Sequence, residues 1–218
     1  MANPFHLLKE LLRLRRECAA ARGHVDRAQG DDTAKTELAN ALRELGEMER
    51  RTPFTRAAAL KHYEEAVELF RQVDDPLKLA HTIRHLGLVH EDAGRLEAAE
   101  KNYDEALAIY RVHATADTLD YANAVRYPAA IKGRLGKNED SASLWEEACR
   151  RYEGVGIFAG VAEASGRLTL FSLDKTDLNG ARRWFEKARE AAEKASDIET
   201  DDFIAEIAAK LSDRHGSL

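Results

Sequence analysis

Alanine returns at Ala39, Ala80, Ala122 and Ala162, in steps of 41, 42 and 40 residues. A second alanine keeps the same beat at Ala66, Ala106, Ala148 and Ala188. Three residues before each of these stands an aromatic: Tyr63, Tyr103, Trp145 and Phe185. Seven before each is a small residue: Ala59, Ala99, Ser141 and Ala181. Four after come Phe70, Tyr110, Tyr152 and Ala192. A recurrence of this length constrains the fold more than any local motif. One copy cannot bury its apolar face alone, so copies must stack.

Spacings of three, four and seven put each set on one side of a helix. Each copy therefore reads as helix, turn, helix. The turns fall at Thr52-Pro53, Ala93-Gly94, Leu135-Gly136 and Thr176-Asp177. Gly94 and Gly136 suit a left-handed helix end. Asp75-Pro76 between copies supplies an N-cap and a first-turn proline. Pro128 falls inside a helical pattern and is expected to kink or break it near Tyr127.

The chain resembles the tetratricopeptide repeats. It shows Leu45-Gly46 and Leu86-Gly87 in first helices, then Ala59…Tyr63…Ala66 and Ala99…Tyr103…Ala106 in second helices. Copies three and four depart, with Pro128-Ala129 and Leu168-Thr169 at the Leu-Gly position. The period of about 41 looks like the longer-helix variety seen in kinesin light chains. The resemblance implies an all-α, right-handed α-solenoid with a concave inner surface. Four helix pairs are expected at about 33–74, 75–115, 116–156 and 157–196, with end helices in 1–32 and 197–218. In the first end helix Phe5, Leu8 and Leu12 make one stripe and Leu7, Leu11, Leu14 and Cys18 another. In the last, Phe203, Ile207 and Leu211 share a side.

The formal net charge is −6, from 33 basic and 39 acidic residues, which disfavours nucleic acid as a bulk partner. The balance is uneven. Residues 1–29 carry Lys9, Arg13, Arg15, Arg16, Arg22 and Arg27 against Glu10, Glu17 and Asp26, while the stretch from Asp174 to Glu206 leans acidic. A regulatory contact of that basic helix with nucleic acid or an anionic surface is the alternative reading. No apolar run approaches the ~20 residues of a membrane span, and the N-terminal segment lacks a signal-peptide pattern. Cys18 and Cys149 are isolated. These features point to a reduced, cytoplasmic setting without membrane contact. Self-association is left open.

Enzyme signals are sparse. GVGIFAG at 154–160 lacks the strand a phosphate loop needs and reads as a loop between copies. Ser172…Lys175 means little outside its own fold. His81 and His85 have metal-ligand spacing but no third ligand, and Arg84 lies between them. They read as surface histidines. No cofactor is implied, and a metal-dependent enzyme is the remotest alternative.

A helical wheel says more. Counting from the first alanine of each copy, offsets 0, 3, 7 and 10 share the apolar side, and offsets 1, 4, 5 and 8 the other. In the family this second side lines the concave surface. It presents Asn40, His81, Asn123 and Glu163 at offset one. Offset four gives Arg43, Arg84 and Arg126, with Arg167 one place further in the last copy. Offset eight gives Leu88, Ala130 and Leu170 after Glu47. Guanidinium groups suit carboxylates, and asparagine can bond a peptide backbone. The expected site is therefore an arginine ladder for an acidic or C-terminal segment of a protein or peptide partner. The competing expectation is that these arginines pair with acids such as Glu47, Glu91 or Asp92 and solvate the surface. The expected role is a non-catalytic scaffold.

Overall fold

A computed structural model describes residues 4–29, 31–52 and 54–215. Pro53 of the first expected turn lies outside the described residues, as does the side chain of Phe5. Ten α-helices and no strand occur among the described residues. They are α1 (Pro4–Arg27), α2 (Asp32–Arg50), α3 (Arg56–Gln72), α4 (Pro76–Asp92) and α5 (Leu96–His113). There follow α6 (Leu119–Arg134), α7 (Asn138–Gly154), α8 (Phe158–Asp174), α9 (Leu178–Ala195) and α10 (Ile198–His215). The helices fall into two compact units, one ending at His113 and one beginning at Ala114.

Helix starts and stops follow from local chemistry. The side chains of Asp31, Asp75, Thr118 and Asp177 each accept from backbone N–H groups of the first turn. Pro76 directly follows its cap. Four helices end on one pattern, in which an N–H bonds back to the carbonyl five residues earlier: Arg95 to His90, Lys137 to Lys132, Ile157 to Tyr152 and Asp177 to Ser172. That closure needs one left-handed residue, supplied by Gly94, Gly136 and Gly156 with φ near +70° and by Thr176 at +58°. GVGIFAG is mostly not a loop. Gly154 ends α7, and Phe158–Gly160 already belong to α8.

In the first unit, α2 packs on α3 and α4 on α5, with α1 laid against α2. Leu14 and Cys18 of α1 join Leu38, Leu42, Leu45 and Phe70 in one core. Tyr63, Val67, Ile83, Leu86 and Val89 form the next. In the second unit α6 packs on α7 and α8 on α9, and α10 covers α8 and α9 with Ile204 and Ile207. Each such side chain contributes roughly 1.5–3 kcal/mol by leaving water.

The recurring alanines explain how close the pairs come. Ala39, Ala80, Ala122, Ala162, Ala66, Ala106, Ala148 and Ala188 are all at 0% exposure. The glycine of each Leu-Gly pair has a more specific task. A Cβ on Gly46 would lie 2.9 Å from the Tyr63 ring, and one on Gly87 would lie 2.5 Å from the Tyr103 ring. The aromatic of the second helix occupies the space the glycine leaves. Where the Leu-Gly pair is lost, Ala129 and Thr169 stand at the glycine offset and are buried. Pro128 does not break its helix, because α6 runs continuously from Leu119 to Arg134 with the proline buried inside it.

Candidate functional site

The offset scheme separates buried from half-buried residues at offsets three, one and eight. Offset three, at Leu42, Ile83, Val125 and Ser165, is buried in every copy. Offset one, at Asn40, His81, Asn123 and Glu163, is half-buried in every copy, as is offset eight at Glu47, Leu88, Ala130 and Leu170. The arginines behave less uniformly, and their surroundings set what each can do.

In the first unit Arg84 does not stand free on the wall, since it is only 4% exposed. Its Nη2 lies 3.2 Å from His81 Nδ1 and 3.3 Å from His85 Nε2. His85 is not a surface histidine either. Its ring stacks near Tyr63, and its Nδ1 lies 3.4 Å from Glu47 Oε2. With Nδ1–H facing Glu47 and Nε2 accepting from Arg84, the ring is a neutral tautomer. Burial pulls its pKa down to about 4, against the hydrogen bond that the ring donates to Glu47 and with help from the Arg84 charge. Arg43 is half-buried, and its Nε has no acceptor among the described residues. Asn40 and Leu88 sit half-buried on α2 and α4.

This neutral histidine makes stability depend on pH. In the unfolded chain His85 takes a proton as pH falls through 6.5, whereas the folded ring stays neutral down to about 4. Stability is full above the unfolded value and is lost as pH falls toward the folded one. From pH 7 to pH 5 the loss is on the order of 2 kcal/mol. Urea denaturation at the two pH values should show a steeper loss for wild type than for His85→Gln. Parallel losses would show that His85 does not set the dependence.

In the second unit the predicted residues converge. Asn123 and Arg126 from α6 and Arg167 from α8 line one cleft of about 400 Å³. Leu119, Ile157 and Phe203 supply its apolar surface, and Asp197, Glu199 and Thr200 at the start of α10 complete the rim. Ala130, Arg167 and Leu170 line a neighbouring cleft of about 360 Å³, with Trp145 and Phe171. Arg167 belongs to both.

Polar groups in the first cleft are held in place. Tyr152 donates its hydroxyl to Asn123 Oδ1 at 2.7 Å, which fixes the amide and leaves its NH₂ free to donate. Arg126 makes a two-point ion pair with Glu163, at 2.5 Å from Nε and 2.9 Å from Nη2. Burial would lower the Arg126 pKa, but the hydrogen bond and charge of Glu163 outweigh it and raise it. Arg167 is exposed, with its guanidinium 5.1 Å from the Phe203 ring centre. The ladder is thus unequal: Arg126 is already neutralised by a neighbouring copy, and Arg167 faces solvent. Each acid expected as a competitor has a partner of its own. Asp92 takes Arg50, Glu91 accepts from Tyr103, and Glu47 holds Arg50 and Arg51.

Several contributors escaped the offset scheme. Phe203 and the acids of α10 lie beyond the fourth copy, where the count stops. Gly160 admits the Tyr152 ring, which a Cβ there would meet at 2.5 Å. Its place in the first turn of α8, four residues before the buried Ala164, was the available signal.

The family model for the tetratricopeptide repeat matches residues 32–111. Residues 32–111 carry tetratricopeptide repeats. No curated protein matches the chain by sequence. Solved structures extend the tetratricopeptide fold over nearly all of its length. BtubC (BKLC) from P. vanneervenii is 17% identical, with a TM-score of 0.68 over 97% of this chain and 93% of that one. A signal transduction ATPase with a tetratricopeptide repeat sensor, from Pyrococcus horikoshii, is 16% identical. Its TM-score is 0.76 over 96% of this chain and 33% of that one. Aspartyl phosphate phosphatase F from Bacillus subtilis is 12% identical, with a TM-score of 0.67 over 94% and 57%. At these identities the likeness is one of fold: an all-α array of tetratricopeptide-type helix pairs. No described helix is long and apolar enough to cross a membrane, and the described residues hold no group of three metal-ligating side chains.

Proposed function

We propose that this chain is a non-catalytic interaction module that holds an extended segment of a partner protein in the cleft between α6, α8 and α10. The observation that carries the reading is convergence. Asn123, Arg126 and Arg167, chosen by repeat offset, line one cleft beside Leu119, Ile157 and Phe203. Fixed polar groups among apolar ones suit recognition of a main chain with a few side chains.

The two arginines divide the work. Arg126 holds Glu163 and, through it, the mutual position of α6 and α8. Arg167 presents its charge to the ligand, braced against Phe203. An acidic residue of the partner would meet Arg167, and a peptide carbonyl would meet the Asn123 amide. This reading moves the acid-binding role from a four-rung ladder to one rung.

The test uses peptides selected from a random display library on the wild-type protein. A selected peptide is then titrated calorimetrically against Asn123→Ala and Arg167→Ala. Each variant is expected to weaken binding about tenfold, the loss of one charge-assisted or orienting hydrogen bond. Unchanged affinity in both, with the fold intact by circular dichroism, would remove the site from this cleft.

A further inference from the structure

We propose that the outer faces of α1 and α10 are complementary docking surfaces through which one copy of this chain associates head to tail with another. The argument is independent of the peptide cleft. It starts from charges that the fold leaves uncommitted.

α1 turns Leu14 and Cys18 into the core. At 100° per residue, Leu8, Lys9, Leu12 and Arg16 lie on the opposite side. Leu8 and Leu12 are 54% and 43% exposed. Several arginines of this helix are satisfied at home: Arg13 by Glu10 and Glu17, Arg15 by Glu49 and Arg22 by Glu65. Lys9, Arg16 and Arg27 are exposed and have no acidic partner among the described residues. The outer face of α1 therefore offers two leucines beside three available positive charges, with Asp26 at its edge.

α10 is the counterpart. It packs by Ile204 and Ile207 and turns the other side outward. Ile198 at its start is 80% exposed. Asp201 and Asp202 are exposed, with no basic partner among the described residues. Ala205 and Ala209 follow on the outer side, also exposed, and small residues there allow a second helix to come close. An exposed apolar strip with two acids thus faces outward from α10, where α1 has an apolar strip with three bases.

The pattern selects among occupants. Pairing of α1 with another α1 would set like charges against each other. An anionic bilayer would attract α1, but two leucines are a narrow apolar face for insertion, and the acids of α10 would have no role. Docking of α10 onto α1 of another copy satisfies both faces at once. Such a contact joins two different patches, so it continues from copy to copy unless the geometry closes a ring.

The experiment is sedimentation velocity on the full chain across a wide concentration range, at low and at high salt. Wild type is expected to gain mass with concentration at low salt and to lose it at high salt, because exposed charge pairs are screened. The variants Lys9→Glu/Arg16→Glu/Arg27→Glu and Asp201→Lys/Asp202→Lys are each expected to stay monomeric. Their equimolar mixture is expected to associate again, since each altered face then meets an oppositely charged one. Circular dichroism checks that both variants fold. Wild type that remains monomeric throughout would overturn the proposal. So would either variant associating alone, or a mixture that does not associate. Monomeric wild type that pellets with phosphatidylserine vesicles would assign the α1 face to a membrane instead.

Discussion

Gly87→Ala is expected to destabilise the first unit by about 2–3 kcal/mol, measured by chemical denaturation. Helix propensity alone predicts the reverse, because alanine is favoured over glycine in a helix interior by about 1 kcal/mol. The opposing effect is steric. A Cβ at this position would lie 2.5 Å from Tyr103 Cε1 and 2.7 Å from Cδ1. Tyr103 is 1% exposed, and its hydroxyl is bound to Glu91 at 2.6 Å, so the ring cannot swing aside cheaply. Gly46→Ala should cost less, because the corresponding distance to Tyr63 is 2.9 Å. Gly87→Ala combined with Tyr103→Leu should cost less than the sum of the two, since the smaller side chain vacates the contested space. Additive costs, or a stabilised Gly87→Ala, would show that the helices separate freely at this point.

The second large effect centres on a carboxylate that no solvent reaches. Glu49 near the end of α2 is at 0% exposure, with Arg15 of α1 at 3.1 Å and His62 of α3 at 2.7 Å. One side chain thereby ties three helices. His62→Ala takes away the shorter contact and leaves a buried carboxylate with Arg15 as its remaining side-chain donor among the described residues. A loss of about 3 kcal/mol is expected, the cost of leaving a buried carboxylate short of a donor, moderated because Arg15 remains half-exposed. Replacing all three residues by leucine should cost much less than His62→Ala, because no charge is then buried. Denaturation of the two variants side by side checks this order. A triple variant less stable than the single one would show that the charges themselves favour the fold.

Much of the architecture was legible in the spacing of alanines. An alanine at a helix crossing leaves a mark that survives wide divergence elsewhere, because larger residues cannot enter. The eight recurring alanines are fully buried for that reason. The side facing the candidate cleft was legible too, since Asn123, Arg126 and Arg167 followed from offset alone. What each arginine does was not. The partner of Arg126 is Glu163, 37 residues away, and which of several nearby acids closes on a guanidinium depends on helix positions within a few ångströms. His85 misled for a related cause. Its own helix gives it a polar offset, but Tyr63 and Glu47 from the preceding helix pair enclose it. The basic bias of α1 was read as a possible contact with nucleic acid, yet three of its six basic side chains are occupied by acids of this chain.

The pair between Arg126 and Glu163 has one more property. It joins offset four of one copy to offset one of the next, so it is written in the register of the repeat itself. A bond of that kind is portable. Placing arginine at the first position and glutamate at the second in consecutive copies gives each junction the same clip without redesigning the core. His81 holds the corresponding receiving offset in the copy after Arg43, whose Nε is buried without an acceptor among the described residues. His81→Glu would therefore copy the clip into the first unit, turning one natural junction into a reusable fastener for building longer arrays.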